Sequence, residues 1–545
     1  MKKISAILLS LLLITTSIFP AFALPTPNVS WGGDVPVIAL FGDGQPICDE
    51  EGNIIFKFSE ILNMIGSSDE TESDEDPVMD AVVSILQPFL LEGILKDEWD
   101  GYYAALEKEI GEIFTEVRFN KDGECDNNTD IEPSRRADME YKKNTDFKKV
   151  NGHYYVYDYQ FWYDWRQDPR DTADELNEYI ESIKKTTGRD KVAILARCLG
   201  SSVTMAYISE YGTDSIYGIG LDGSIIEGAE IISEAISGSF ALDGEAIGRL
   251  LNDINATGSL NISDFVTASV DLAIKSGMID SLTNTVKATI YNKIAKGVTS
   301  ALALSTFFTW PGYWACVSEE DYPAALEYVF GEKGSSKRTE YAGLIDKIEG
   351  YHQEVRLELD DLYDEIEESG AKIGVIGKYG FQLAPITKSA DKIADQYSTL
   401  EKSSLGATTA PSIFETLSDD YIAKRIEEGK GKYISPDKLV DASTCRFPEY
   451  TWFTKNISHS YWHDFETYLL YTIITADVQY TVDDFDCTQF VVHDYETGAI
   501  SPMTEENCHT ESWYDSIKDG GNDNFFAKVI AFFKSLIAWF KALFG

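Results

Sequence analysis

Positive charge is in short supply in this sequence: 46 lysines and arginines stand against 91 aspartates and glutamates, giving a net charge of -45. A surface with that mean field repels phosphate backbones, which excludes a nucleic-acid partner. Histidine is scarcer still, with six residues, so a search for a catalytic base has few places to look. The apolar run from Ile4 to Phe19 is shorter than the roughly 20 residues a membrane span needs. No cysteine follows it at the small-residue step Ala21-Phe22-Ala23, so no lipid-anchored lipoprotein is indicated. The acidic run Ser67 to Asp76 lacks the spaced ligands and glycine of a calcium loop and reads as an exposed loop. No internal repeat is evident.

What is present points to a large folded protein. The 545 residues are 44% hydrophobic and 12% aromatic, enough to fill a sizeable core. Met1-Lys2-Lys3, the apolar run and the small-residue step together read as a secretory signal, with a mature chain expected from near Leu24. The short Lys-Lys leader resembles bacterial ones, so an extracytoplasmic location is expected. All seven cysteines lie beyond this segment. Outside the cytoplasm an odd count leaves at least one thiol unpaired, and Cys198 is the residue expected to be that one. Cys487 and Cys508 flank a strand-like stretch and are open to two readings, a disulfide or, with His493 and His509, a zinc site, although the spacing matches no common zinc pattern. No cofactor is implied.

Short β-branched runs alternate with helical patterns, the order expected of a mostly parallel sheet flanked by helices. Strands are predicted at Val35 to Leu40, Tyr154 to Phe161, Lys191 to Ala196, Ile216 to Leu221, Lys372 to Ile376 and Thr451 to Thr454. A helix capped by Asp171 is expected to bury Leu176, Tyr179, Ile180 and Ile183. Arg338 to Glu368 reads as one or two charged structural helices.

The chemistry concentrates at Ala196-Arg197-Cys198-Leu199-Gly200, between a buried strand and a helix. In a Gly-x-Ser-x-Gly elbow the sharp turn lifts the nucleophile above the sheet edge, and small flanking residues let strand and helix approach. Here Ala196 and Gly200 are the small residues and a thiol replaces the hydroxyl. The helix amino terminus, Arg197 and a histidine base would activate it. Ser201 and Ser202 lie past the turn and are poor substitutes.

Tyr163-Asp164-Trp165-Arg166, followed by Asp168-Pro169-Arg170, resembles the signature of lecithin:cholesterol acyltransferase-like α/β hydrolases, and Pro311-Gly312-Tyr313-Trp314 resembles the segment after the cap in bacterial relatives. The similarity covers roughly Val35 to His459. It implies an α/β-hydrolase fold with a helical cap insertion, and lipid-ester or other acyl chemistry. For Trp165 and Arg166 a structural role beneath the site is expected. In such enzymes the acid and then the histidine follow the nucleophile in chain order. Asp395, in Ala394-Asp395-Gln396-Tyr397-Ser398, is the favoured acid and Asp441 its competitor; His459 is the favoured base and His463 its alternative. The backbone N–H of Leu199 and one from the Phe41 to Gln45 turn, at Asp43, would form the oxyanion hole.

The expected organisation is a signal at 1–23, a first core part at 24–222, a helical cap at 223–309, a second core part at 310–475, an extension at 476–519, a linker at 520–523 and an amphipathic helix at 524–545. At about 100° per residue the apolar residues of that last segment fall on one half of a helix. Lys528, Lys534 and Lys541 lie on the other, the pattern of a helix in a membrane interface. The function expected is a secreted acyl hydrolase or acyltransferase acting on a lipid-like ester. The alternative is a catalytically inactive binding or surface interaction protein on the same fold.

Overall fold

The computed structural model describes residues 35–42, 45–56, 84–85, 88–94, 96–114, 116–131, 149–150, 153–154, 157–239, 293, 297, 307–383, 387–461, 463–485, 487–494 and 497–508. The expected signal segment, the acidic run 67–76, nearly all of the expected cap after residue 239, the expected linker and helix at 520–545, Asp43 and His509 lie outside them.

Eight strands form the main sheet: β1 (Val37–Leu40), β2 (Tyr159–Phe161), β3 (Val192–Cys198), β4 (Ile216–Ser224), β5 (Lys372–Tyr379), β6 (Thr451–Lys455), β7 (Phe490–Asp494) and β8 (Ala499–Pro502). Their spatial order is β8-β7-β6-β5-β4-β3-β1-β2; every neighbouring pair is parallel except the β7-β8 edge hairpin. The protein is an α/β fold. Strands β1 and β3 are buried along their whole length, because helices cover both faces. On one face Ile38, Leu40, Ile194, Ile219 and Val375 pack with the helices α1 (Pro169–Thr187), α2 (Leu199–Tyr211) and Leu359–Ser369. On the other, Val37, Ala39, Leu195, Ile376 and Trp452 pack under the helix Asp464–Ile474.

The chain leaves β1 for β2 on one side and returns to β3 on the other, so β1 and β3 bracket a topological switch point, where α/β folds open a crevice at the carboxyl ends of their strands.

Several local expectations change. Among the described residues of the predicted 154–161 strand, only Tyr159–Phe161 join the sheet; His153–Tyr154 pairs instead with Lys149–Val150 in a separate hairpin. Helix α1 starts earlier than expected. Asp168 rather than Asp171 is its cap, accepting the Arg170 N–H at 3.0 Å, because Pro169 suits the first helical position, where no N–H is needed. The four predicted apolar residues are buried on it. The 476–519 extension supplies β7 and β8 to the main sheet rather than standing apart from the core. The charged stretch 338–368 forms helices whose Leu344, Ile345, Ile348, Leu362 and Ile366 face inward.

All seven cysteines lie among the described residues, and none is in a disulfide. Cys487 and Cys508 are not bridged to each other. The first packs beside Trp452 and Val491 and the second beside Phe453 and Phe490, in separate clusters that take alternate residues of β6 and β7 and so cover opposite faces of the sheet. Among the described residues, no three His, Cys, Asp or Glu side chains converge as metal ligands, and no helix is long and apolar enough to cross a membrane.

Candidate active site

Strand β3 ends at Cys198, which has φ 51° and ψ -127° and immediately precedes α2. A non-glycine residue held at positive φ costs of order 1–3 kcal/mol, and such strain gathers where the surroundings fix a side chain for use. The neighbours explain how the turn closes. A Cβ on Gly200 would lie 2.4 Å from the Leu40 carbonyl oxygen, so α2 can seat against the end of β1 only with glycine there. Ala196 is fully buried on the strand side. Ser201 is no rival nucleophile: it is fully buried, and its hydroxyl donates to the Cys198 carbonyl at 2.6 Å.

The loop after β1 presses on the thiol. A Cβ on Gly42 would fall 2.9 Å from Cys198 Sγ and 3.6 Å from the Leu199 nitrogen. That loop is held from below: the Tyr163 hydroxyl donates to the Phe41 carbonyl, and Trp165 Nε1 donates to the Gln45 carbonyl at 3.1 Å. Arg166 is fully buried, paired to Asp164 at 2.6 Å, and donates to the carbonyls of Val117 and Thr129. Trp165 meets Trp310 edge-on at 5.1 Å, and a Cβ on Gly312 would fall 2.2 Å from the Trp165 carbonyl oxygen. The two sequence motifs therefore form one packed block under the loop beside the thiol. Leu199 opens α2, where first-turn N–H groups lack helical partners. Asp43 lies outside the described residues.

Asp395 and His459 come together although 64 residues separate them, with Nδ1 and Oδ2 2.8 Å apart. The carboxylate is fully buried, and its Oδ1 accepts the N–H groups of Tyr397 at 3.0 Å and Ser398 at 2.8 Å. Burial pushes its pKa up, but His459 and those two N–H donors outweigh this and hold it below the ordinary 3.8. Ionised Asp395 therefore fixes the proton on Nδ1 and leaves Nε2 as the basic nitrogen. Nε2 is buried and has no hydrogen-bond partner among the described residues. The Tyr397 ring stacks on the imidazole at 4.5 Å. Below it, a Cβ on Gly223 would lie 3.4 Å from the ring, and the next residue, Ser224, pairs with Cys198 across β3 and β4. The imidazole thus lies against the end of β4, next to the strand that carries the thiol.

The competing residues are engaged elsewhere. Asp441 is fully buried but binds Arg425 Nε at 2.7 Å and the Tyr421 hydroxyl at 2.8 Å. His463 caps the helix Asp464–Ile474 through Nδ1, while its Nε2 lies 3.2 Å from the Gly498 carbonyl. The guanidinium of Arg197, expected from the sequence to help activate the thiol, donates to the carbonyls of His459 and Tyr461.

Two contributors escape sequence reasoning. Glu230, at the start of the helix Glu230–Ile236, accepts the Thr399 N–H at 2.7 Å and its hydroxyl at 2.6 Å, and Lys402 pairs with it at 3.1 Å. It clamps the turn that carries Asp395. Tyr397 is the other. Its place two residues after the acid was a usable signal for the loop but not for the stacking.

No protein-family model and no curated protein matches the chain. Among solved structures, a chain from "The crystal structure of Tle4-Tli4 complex" aligns over 94% of this chain and 99% of its own length at 12% identity, with a TM-score of 0.24. A likeness that slight bears on neither fold nor chemistry.

Proposed function

We propose that the protein is an α/β-hydrolase related to the lecithin:cholesterol acyltransferase-like enzymes, cleaving or transferring the acyl group of a lipid-like ester through Cys198, His459 and Asp395. One observation carries the reading: a cysteine held at positive φ between a central strand and its helix, beside a strand end where a buried Asp-His pair stands with Nε2 free of hydrogen bonds from the described residues.

His459 Nε2 takes the thiol proton, and the thiolate attacks the ester carbonyl. The resulting oxyanion accepts the N–H of Leu199 and, as the sequence-based expectation has it, a second N–H from the Phe41 to Gln45 segment. Each such donor is worth about 2.7–4 kcal/mol in related chemistry. Collapse expels the alcohol, which takes the proton back from His459 and leaves a thioester on Cys198. Water attacking that thioester gives the free acid, and a second alcohol gives a new ester. Asp395 stays ionised throughout and stabilises the imidazolium.

Secretion by the leader at 1–23 and adsorption of helix 524–545 to a membrane surface would bring the site to lipid esters, and both belong to this proposal. Incubation with a slow ester followed by intact-mass and peptide analysis tests it. A mass increase equal to the acyl group on Cys198 supports the reading. An unmodified thiol with every ester, thioester and phospholipid offered favours an inactive binding protein instead.

A further inference from the structure

Behind the thiol and the imidazole lies a buried group of four ionisable side chains. Arg197, directly before Cys198 on β3, faces Asp222 across the β3-β4 register, with Nε 3.7 Å from the carboxylate. Lys378, near the end of β5, pairs with Asp222 at 2.7 Å and with Glu466, from the helix Asp464–Ile474, at 3.3 Å. The Lys378 and Glu466 side chains are 0% and 1% exposed, and that of Arg197 is 7% exposed. Burial pushes the Glu466 carboxyl well above its usual range, with Asp222 adding to the rise and Lys378 and Arg197 opposing it.

Taking ions out of water costs several kcal/mol each, and apolar residues of similar volume often serve stability as well or better. The cations share a second set of partners. Arg197 Nη2 donates to the His459 carbonyl and, at 3.0 Å, to the Tyr461 carbonyl, while Lys378 Nζ donates to the same Tyr461 carbonyl at 3.2 Å. His459 is therefore fixed at three points. Its N–H donates to the Asp395 carbonyl at 2.8 Å, its Nδ1 meets Asp395 Oδ2, and its carbonyl is held by the residue preceding Cys198. The first two attachments tie the base to the acid. Only the third ties it to the strand that carries the thiol.

We propose that Arg197 is a positioning residue that sets the spacing of thiol and imidazole by tying the His459 loop to β3, with Asp222, Lys378 and Glu466 holding its guanidinium in place. The inference rests on Cys198 and His459 acting as nucleophile and base. A misplacement of about 1 Å between reacting groups costs on the order of 100-fold in rate.

The test uses the full chain and two readouts: turnover of a small activated ester, and the pH profile of iodoacetamide alkylation at Cys198, assigned by peptide mapping. Wild type, His459→Ala, Arg197→Lys and Arg197→Met are compared. His459→Ala defines the profile of a thiol without its base. Arg197→Met is expected to move most of the way to that profile and to lose about 100-fold in kcat with KM within about twofold. Arg197→Lys, which keeps the charge but whose side chain ends one bond short of the position of Nη2, should fall between wild type and Arg197→Met. A folded Arg197→Lys with wild-type profile and turnover overturns the inference, and it decides the matter if Arg197→Met does not fold. Should His459→Ala itself alkylate as wild type does, the nucleophile-base reading fails and takes this inference with it. A shifted His459→Ala beside an unshifted Arg197 pair fails the inference alone.

Discussion

Replacing Asp395 by asparagine changes one atom and reverses the direction of one hydrogen bond. Oδ1 accepts two N–H groups, from Tyr397 and Ser398, and these require an oxygen. An asparagine that keeps its oxygen there must turn its NH2 toward His459 Nδ1. The amide then donates to Nδ1, the imidazole carries its proton on Nε2, and the thiol loses its proton acceptor. The equivalent change in an Asp-His-nucleophile enzyme lowers kcat about 10⁴-fold, or about 5 kcal/mol of barrier. The same loss is expected here for acylation by a small ester at pH 7, read as the pre-steady-state burst.

A thiol adds a feature that a serine enzyme would not show. Free cysteine ionises near pH 8.5 without help, so the acylation defect of Asp395→Asn should shrink as pH rises past about 8.5, while the defect in deacylation, which needs a base for water, persists. The fold should register the change as well. Asp395 has a folded-state pKa below 3.8. Its contribution to stability is therefore present above the unfolded pKa of about 3.9 and is lost as pH falls through the folded value. Urea unfolding of Asp395→Asn should vary less between pH 5 and pH 3 than that of wild type. Acylation within tenfold of wild type at pH 7 would refute the assignment of the acid.

Other substitutions separate site from scaffold. Cys198→Ala should remove acyl transfer, and Cys198→Ser should leave a trace, measured by ester turnover and by trapped acyl-enzyme. Asp441→Asn, which weakens the pairing with Arg425 and Tyr421, should cost about 1–3 kcal/mol in urea unfolding and leave acylation unchanged. Gly200→Ala drives a methyl toward the Leu40 backbone and should cost about 1–3 kcal/mol, with a parallel loss of acylation as the Gly42 loop is displaced. Removing residues after Asp523 should abolish liposome binding while leaving thermal unfolding unchanged; undiminished binding would sink the membrane-helix expectation.

The legible parts of the fold were those in which burial alone dictates residue type. Val37–Leu40, Val192–Cys198 and Thr451–Lys455 are buried on both faces, and their apolar runs stand out without alignment. Strands β7 and β8 did not stand out. The β7 residues alternate between two core clusters and end at exposed Asp494, while β8 is a short edge strand with an exposed first residue. At the site, chain order and residue type brought out Cys198, Asp395 and His459. Nothing local separated Asp395 from Asp441, because both are buried carboxylates that accept N–H groups from the residues just after them. What separates them is tertiary: one meets an imidazole 64 residues away, the other an arginine 16 residues back.

The same distinction bears on Tyr163, Trp165 and Arg166, whose sequence pattern carried the family resemblance. None of the bonds described for them forms part of the Asp-His pair. Tyr163 and Trp165 hold the carbonyls of Phe41 and Gln45, and Arg166 ties that support to Val117, Thr129 and the turn at Gly312. A loop fixed at both of those carbonyls can keep Gly42 pressed against Cys198 with little freedom to relax. Rigid placement of N–H donors before substrate arrives is what makes an oxyanion site effective, since no reorganisation is then needed during the reaction. On the proposed reading, the motif would serve the chemistry through the loop it immobilises. A cysteine strained at the strand end and a braced loop meet at one thiol, and the His459 imidazole, tethered from two sides, stands against the end of the neighbouring strand β4.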